Sequence, residues 1–406
     1  MSVVVSYKKQ FLLGIMLVLV FILFLEILAF ASLYFYDYCM IGKRGFYAHL
    51  DNYERNRICM DNSEINFGYN PNLHMLPNQH NGTININQEG FRGAELLKEK
   101  PDNTFRIFVI GGSTTFGLYT TSDDSTIPGF LQEMFNEQNL PVKIEIVNAG
   151  IASAFSYTET MYIQEKLIEF QPDMFIIYDG YNDLNREYAD YNSVVQTDRT
   201  IILDSILFIQ DYIPIINLQY IASSILNDIK YTLDSNQVLP FNSDNIEKKA
   251  AIWKERWNNI CKIGEQENFT TLVTLQPIIG TGDRELSPLE ERFFKVNNGE
   301  KKVIAYEKYV KKLQELDDNC MTGDLTDALD ISSGKPVYLD RVHLDDYGNS
   351  LVAEKLFEMS LPIVKQKNIL KNTLIVIQKL KNIWMVKLIL QKKIIMLKLY
   401  LVEGVI

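Results

Sequence analysis

One serine, one histidine and one aspartate in this sequence have the types and the setting that nucleophilic catalysis requires. Ser113 lies in the segment GGSTTFG, where glycines allow a sharp turn that presents a hydroxyl at the start of a helix. Asp340 and His343 lie together in DRVHLDDYGN, near the end of the chain. A serine hydroxyl is a weak nucleophile that needs a base, and the base needs a third group to orient it. We therefore predict that Asp340 orients His343 and that His343 activates Ser113.

The positions of the four histidines favour His343 as the base. His49, His74 and His80 lie in an irregular region before the first predicted strand, whereas His343 immediately precedes the last predicted helix. An aspartate three residues before a histidine in a turn can hydrogen-bond the ring and fix its tautomer, which leaves the other nitrogen for the serine. A DxxH pattern alone is a weak signal, because surface histidines often have acidic neighbours.

An acyl-transfer site also needs hydrogen-bond donors for the oxyanion that develops on the substrate. The backbone N–H groups of Ser113 and Gly150 and the side-chain amide of Asn182 could supply them. Gly150 lies in NAGIASAFS and Asn182 lies in GYND, each directly after an apolar run. A structural role in a turn is the alternative for Asn182. Leu118 stands where a phosphate-binding loop requires lysine, which argues against that reading of GGSTTFG.

Four short runs rich in Ile, Val and Phe predict the buried strands that would position these residues, at 105–110, 143–147, 174–178 and 271–274. Helical patterns are found at 127–136, 157–170 and 246–267, and a last helix is predicted at about 347–358. Strands that alternate with helices predict a three-layer α/β/α domain with a central parallel sheet. Ligands of such sheets bind beyond the carboxyl ends of the strands, where the three candidate segments after the first three strands would meet.

The four segments resemble, in order and context, the four sequence blocks of the SGNH, or GDSL, hydrolases. The residues that match the family's named positions and its triad are, in chain order, Ser113, Gly150, Asn182, Asp340 and His343. The resemblance covers about residues 105–362, and the GFRG that precedes it is similar to membrane-anchored members. One position departs from the pattern, since Gly112 stands where the GDS form has aspartate. This departure puts in doubt only the local hydrogen bonding around the nucleophile.

The resemblance implies an SGNH fold, which is flavodoxin-like, and a serine hydrolase that acts on acyl or acetyl esters. Esterases, lipases, carbohydrate deacetylases and O-acetyltransferases all belong to the family, so the substrate stays open between glycans and lipids. An O-acetyltransferase of cell-surface glycans is one alternative, because it uses the same residues. A catalytically silent, membrane-tethered glycan-binding protein is another, and it predicts that Ser113 and His343 lie too far apart to cooperate.

We expect no cofactor and no metal. The four cysteines lack CxxC spacing, the chain has no HExxH motif, and the triad chemistry needs neither. Nucleic acid is an unsuitable partner, because residues 1–358 carry 31 basic and 50 acidic side chains, a net charge of −19.

An apolar run at residues 11–36 contains a single charge, Glu26. As a helix with a rise of about 1.5 Å per residue, this run exceeds the ~30 Å hydrocarbon core of a bilayer. We predict a single-pass transmembrane anchor that follows a cytoplasmic segment at residues 1–10. A cleaved signal peptide is the alternative, with small residues for a cleavage site at Ala29, Ala31 and Ser32.

The charges that flank the span do not fix its orientation, because Lys8 and Lys9 are balanced by Lys43 and Arg44. Two other features favour a catalytic domain outside the cytoplasm. Asn81 and Asn268 begin glycosylation sequons. The cysteines form two pairs that are close in sequence, which suits an oxidising compartment, although four unrelated thiols are the alternative; the pairs are Cys39 with Cys59 and Cys261 with Cys320.

The rest of the chain divides by composition. Residues 37–100, rich in Asn, Tyr and Gly, predict a loop-rich lead-in, and residues 101–364 form the predicted hydrolase domain. An insert at 184–244 could cap the site or serve only in packing. The basic and apolar tail at 365–406 could be a membrane segment, a partner-binding helix or an out-of-frame translation.

Overall fold

A five-stranded parallel sheet forms the centre of the computed structural model, which describes residues 6–66, 75–186, 215–234, 241–367 and 392–393. A short antiparallel pair, β1 (Gln79–His80) and β2 (Asn85–Ile86), precedes it in the chain. The five strands of the sheet are β3 (Thr104–Gly111), β4 (Lys143–Asn148), β5 (Met174–Asp179), β6 (Thr270–Leu275) and β7 (Met321–Asp324). Their order is β4-β3-β5-β6-β7. Numbered within the sheet, this is the 2-1-3-4-5 order of flavodoxin-like folds, so the predicted α/β class is confirmed.

Alternate residues of the buried strands face opposite layers of helices. Phe108 and Ile110 belong to one apolar cluster, whereas Ile107 and Val109 belong to another. The helices that cover the first cluster are α6 (Ser156–Glu165), α9 (Ile246–Glu267) and α11 (Gly299–Gln314). The helices that cover the second are α5 (Ile127–Asn136), α10 (Pro288–Val296) and α12 (346–367). Burial of both faces of the sheet explains why its strands read as continuous apolar runs.

Helix α9 contributes two tryptophans, Trp253 and Trp257, that are both fully buried against the sheet. The indole N–H of Trp253 donates to Asp179 Oδ2 over 3.0 Å, at the carboxyl end of β5. The indole N–H of Trp257 is buried without a hydrogen-bond partner in the described part of the chain. Only the first tryptophan therefore donates to a buried side chain, the carboxyl group of Asp179, whose pKa is raised well above its usual value by burial and by the nearby Asp183.

The lead-in contains more regular structure than the predicted loops. Helix α2 (Met40–Lys43) is followed by α3 (Asn52–Glu64), a helix of 13 residues. A capping box starts α3, since Glu54 N–H donates to Asp51 over 2.8 Å and Asp51 N–H donates to Glu54 over 2.9 Å. Few of its residues are apolar, so the periodicity that marks an amphipathic helix is missing from the sequence.

The N-terminal helix α1 (Tyr7–Phe35) leaves most of its large apolar side chains exposed. Its length and composition are those of a membrane span or a signal sequence. The carboxylate of Glu26 accepts hydrogen bonds from the backbone N–H groups of Asn217 and Leu218, over 2.8 and 3.1 Å. These N–H groups belong to the first turn of α8 (Ile216–Asp234), whose positive dipole end favours a carboxylate.

Both cysteine pairs are disulfides in the structure: Cys39 bonds Cys59, and Cys261 bonds Cys320. The first joins the start of α2 to α3. Most of the insert and nearly all of the tail that the sequence analysis marked as uncertain lie outside the described residues.

The two tryptophans of α9 give a matched stability test. Trp253→Phe should lower the free energy of unfolding by about 1–3 kcal/mol more than Trp257→Phe, because only the loss of Trp253 leaves the buried carboxyl oxygen of Asp179 without its indole donor. Chemical denaturation of both variants measures the difference. Equal losses would contradict a role for the Trp253–Asp179 hydrogen bond.

Candidate active site

The candidate nucleophile lies at a tight turn between β3 and the short helix α4 (Ser113–Phe116). As the first residue of α4, Ser113 has a backbone N–H without an intrahelical acceptor. Gly111 permits the turn, since a Cβ there would lie 2.1 Å from Thr115 Oγ1 and 2.3 Å from the carbonyl oxygen of Tyr178. The glycine-rich sequence thus reflects the close approach of β3, α4 and β5.

Ser113, His343 and Asp340 form one continuous hydrogen-bonded chain. The Oγ of Ser113 lies 2.8 Å from His343 Nε2, and His343 Nδ1 lies 2.8 Å from Asp340 Oδ2. The side chains of His343 and Asp340 are 13% and 22% exposed, so the site is shielded from bulk water but open on one side. The imidazole therefore lies between the carboxylate and the hydroxyl, as the sequence analysis expected.

The carboxylate of Asp340 is held ionised. Burial raises the pKa of Asp340, but the charge of His343, a hydrogen bond from its ring and the N–H groups of His343 and Val342 outweigh it, so the net pKa lies below the usual range. Both N–H groups donate to Oδ1 over 2.9 Å. A lowered folded-state pKa contributes stability above the ordinary aspartate pKa of about 3.9, and this stability is lost as the pH falls through the folded-state value.

The segment that carries Gly150 packs directly against α4. A Cβ on Gly150 would lie 2.2 Å from the backbone nitrogen of Phe116, so no larger residue fits there. The N–H of Gly150 donates to Asn148 Oδ1 over 3.0 Å, and Asn148 Nδ2 donates to the carbonyl oxygen of Phe116 over 3.3 Å. An oxyanion would therefore have to compete with Asn148 for the Gly150 N–H.

Asn182 lies beside the nucleophile turn, in the short helix α7 (Tyr181–Asn185) that follows β5. Its Nδ2 donates to the carbonyl oxygen of Ala154 over 2.6 Å, which leaves a second amide hydrogen. A Cβ on Gly112 would lie 2.6 Å from this same nitrogen. A side chain at position 112 would therefore require the amide of Asn182 to shift.

A buried arginine from the lead-in supports the turn after the nucleophile. Arg92, in the GFRG segment, donates to the carbonyl oxygens of Phe116 and Gly117 over 3.0 and 2.6 Å and pairs with Asp123 over 2.7 Å. Burial lowers the pKa of Arg92, and the interaction with Asp123 offsets this in part. The sequence analysis did not identify Arg92 as a site residue, because most of its partners are backbone carbonyls.

Two carboxylates hold the segment around His343. Glu290 accepts from the N–H groups of Val337 and Tyr338 over 3.0 and 3.2 Å, just before the candidate triad. Asp346 accepts from Thr121 N–H over 3.2 Å and thereby joins the start of α12 to the loop after α4. No sequence pattern marks either Asp346 or Glu290 as a site residue.

Tyr119 covers one side of the candidate base. Its ring lies 5.8 Å from the His343 ring in an edge-on arrangement. The backbone of Tyr119 has a φ of 68°, a conformation that is uncommon for a bulky side chain. Burial and the nearby charge of Asp340 raise the pKa of the Tyr119 hydroxyl, so the tyrosine stays neutral.

In the described part of the chain, no group of three or more His, Cys, Asp or Glu side chains is placed to hold a metal ion. The arrangement can deliver a serine oxygen to an electrophilic carbonyl and transfer its proton to the imidazole.

No family model matches the chain, and no curated protein matches it. Among solved structures, similar folds include an acetyl xylan esterase with 15% identity and a TM-score of 0.37, which covers 63% of this chain and 98% of that one. A GDSL-like lipase from Parabacteroides merdae has 14% identity and a TM-score of 0.36, with 63% and 95% covered. A lipolytic protein of the G-D-S-L family from Desulfitobacterium hafniense has 14% identity and a TM-score of 0.35, with 63% and 98% covered.

Arg92→Lys should lower the free energy of unfolding by on the order of 3 kcal/mol, because lysine lacks the planar fork that serves several acceptors at once. Chemical denaturation measures the loss. Lys98→Gln is the control, since Lys98 forms an exposed pair with Glu169 and should leave the stability unchanged. An unchanged stability in Arg92→Lys would contradict the supporting role.

Proposed function

We propose that this protein is a membrane-anchored serine esterase of the SGNH type, with Ser113, His343 and Asp340 as its catalytic triad. One observation carries the proposal: two hydrogen bonds of 2.8 Å join a carboxylate, an imidazole and a serine hydroxyl. Four sequence blocks in the family's order support the family assignment. The same geometry argues against a catalytically silent protein, which requires Ser113 and His343 to be separated.

In the proposed reaction, His343 Nε2 takes the proton of Ser113 as the serine oxygen attacks an ester carbonyl. Asp340 stabilises the imidazolium and fixes the tautomer through Nδ1. The tetrahedral intermediate collapses to an acyl-enzyme when His343 returns the proton to the leaving alcohol. A water molecule, activated by the same imidazole, then releases the acid and regenerates Ser113.

Three donors around the Ser113 turn are proposed to stabilise the oxyanion: the N–H groups of Ser113 and Gly150 and the amide of Asn182. Ser113 N–H is at a helix start, and Asn182 Nδ2 uses one hydrogen for Ala154. Gly150 N–H must leave Asn148 Oδ1 to take part. The Ser113 N–H and the Asn182 amide are therefore better placed than the Gly150 N–H to bind the oxyanion.

The proposed location is a membrane, with the catalytic domain on its extracytoplasmic side. Helix α1 has the length and the apolar surface of a span, which supports an anchor at residues 11–36. The two disulfides support an oxidising compartment. Acyl or acetyl esters of glycans or lipids are the proposed substrate class.

Ser113→Ala should reduce the hydrolysis of p-nitrophenyl acetate by the full-length protein by on the order of 10⁴-fold or more, because the nucleophile is removed. The rate of p-nitrophenol release measures the effect. Ser350→Ala is the matched control: this half-buried serine donates to the carbonyl oxygen of Tyr347 in its own helix and should keep full activity. Activity that persists in Ser113→Ala would mean that another residue is the nucleophile.

Asp340→Asn should lower kcat for the same ester by on the order of 10⁴-fold, since an amide favours the wrong tautomer of His343. The stability should fall as well, because the uncharged amide loses its interaction with His343. Steady-state kinetics on protein whose folding is verified by circular dichroism checks the first effect. A kcat within tenfold of the original would remove Asp340 from the triad.

A further inference from the structure

A cavity of about 770 Å³ adjoins the candidate active site, and the proposed mechanism does not use it. Its walls come from Tyr38, which follows α1, from α2 and α3, from α8 and α10, and from the loop that carries Tyr119. Its volume lies within the roughly 300–1,000 Å³ of small-molecule sites. The surroundings of the two ends of the cavity indicate which kind of molecule it could bind.

Tyr119 lines the end of the cavity that is nearest the triad. Tyr119 also lies beside His343, whose ring is 5.8 Å from the Tyr119 ring. Arg44 also lines the cavity, and its Nη1 donates to the carbonyl oxygen of Leu339 over 2.6 Å, one residue before Asp340. A single side chain therefore separates the cavity from the imidazole of the candidate base.

The other end of the cavity lies near the apolar helix α1. Ile216 lines the cavity, and the next two residues of α8 donate their N–H groups to Glu26 of α1. Glu26 lies nine residues before the end of α1 at Phe35, which is about 14 Å along a helix. If α1 spans a membrane as far as Phe35, this end of the cavity lies about 14 Å inside the span, at the depth of the lipid acyl chains.

The side chains of the cavity suit an amphiphile. Met40, Ile216 and Leu289 are apolar, and Met40 and Ile216 remain 36% and 42% exposed. Cationic groups lie on the same walls: Lys43, Arg44 and Arg292. Basic side chains near a membrane surface attract anionic lipid headgroups. Two acidic side chains, Glu64 and Asp228, line the cavity as well, and Lys43 is paired with Asp228.

We propose that this cavity binds the acyl chain of a membrane lipid and presents the lipid's ester to Ser113 past Tyr119. The proposal rests on the proposed esterase function and narrows its substrate to a lipid ester that is drawn from the bilayer. A lipid can enter beside α1 without exposing its chain to water, because the entry lies next to the apolar surface of the span. A soluble glycan gains no such advantage from an entrance at this level.

The first test fills the cavity without touching the triad. Ser223 lines the cavity, whereas Ala222, its neighbour on α8, does not. Full-length Ser223→Trp and Ala222→Trp are reconstituted in phosphatidylcholine vesicles and assayed with p-nitrophenyl palmitate and p-nitrophenyl acetate. We expect Ser223→Trp to lower the palmitate kcat/KM by about tenfold or more, a typical effect of lost pocket contacts, and to leave the acetate rate unchanged. Ala222→Trp should leave both rates unchanged.

Equal palmitate rates in Ser223→Trp and the original protein would overturn the proposal. So would a loss of both rates in Ser223→Trp with normal folding, because the tryptophan would then act on the triad and not on chain binding.

The second test needs no activity, so it separates this proposal from the proposed function. Full-length Ser113→Ala is placed in phosphatidylcholine vesicles with a phosphatidylglycerol that carries a diazirine in its acyl chain, and the crosslinked residues are mapped by mass spectrometry. We expect crosslinks at Tyr119, at the inner end of the cavity, that disappear when Ser223→Trp is added.

Crosslinks confined to α1 and to exposed positions such as Leu226 would overturn the lipid site even if the protein hydrolyses esters. Conversely, crosslinks at Tyr119 in a protein whose original form hydrolyses no ester would contradict the esterase function and leave a lipid-binding cavity.

Discussion

The 2.8 Å hydrogen bond between Ser113 and His343 is the interaction on which the account depends, because it joins residues 230 positions apart in the chain. Neither the segment around Ser113 nor the segment around His343 could by itself bring the two side chains together. The serine is fixed by the crowded junction of β3, α4 and β5, where Gly111 allows two backbones to approach. The histidine is fixed by the carboxylate of Asp340, which in turn is held by two backbone N–H groups. These two separate supports hold the Ser113 hydroxyl and the His343 imidazole at a distance that allows proton transfer.

Buried charges around the site stabilise these supports and do no chemistry in the proposed reaction. Arg92 satisfies carbonyl oxygens at the end of α4, and Glu290 satisfies N–H groups just before Asp340. Removing one member of such a network leaves buried polar groups without partners, which makes the loss larger than one hydrogen bond. The lead-in is therefore part of the structure that supports the candidate site, since Arg92 comes from it.

Much of the fold could be predicted, because buried parallel strands have apolar sequences. Part of the candidate site could be predicted as well, because the segments after β3, β4 and β5 contain polar residues flanked by glycine. Strand β7 could not be predicted, because three of its four residues are exposed and no apolar run marks it. Glu290 was missed for a different reason: several of its partners are backbone groups distant in sequence, and no spacing reveals them. The contact between Glu26 and α8 is likewise tertiary, so the sequence showed only an isolated charge in an apolar span.

The most direct test of the central claim is to locate the residue that a fluorophosphonate modifies in the full-length protein. The account predicts a single covalent adduct on the Ser113 oxygen, found by peptide mass spectrometry, and its loss in His343→Ala, because the hydroxyl is reactive only when the imidazole accepts its proton. An adduct on another serine, or none at all on folded protein, would contradict it.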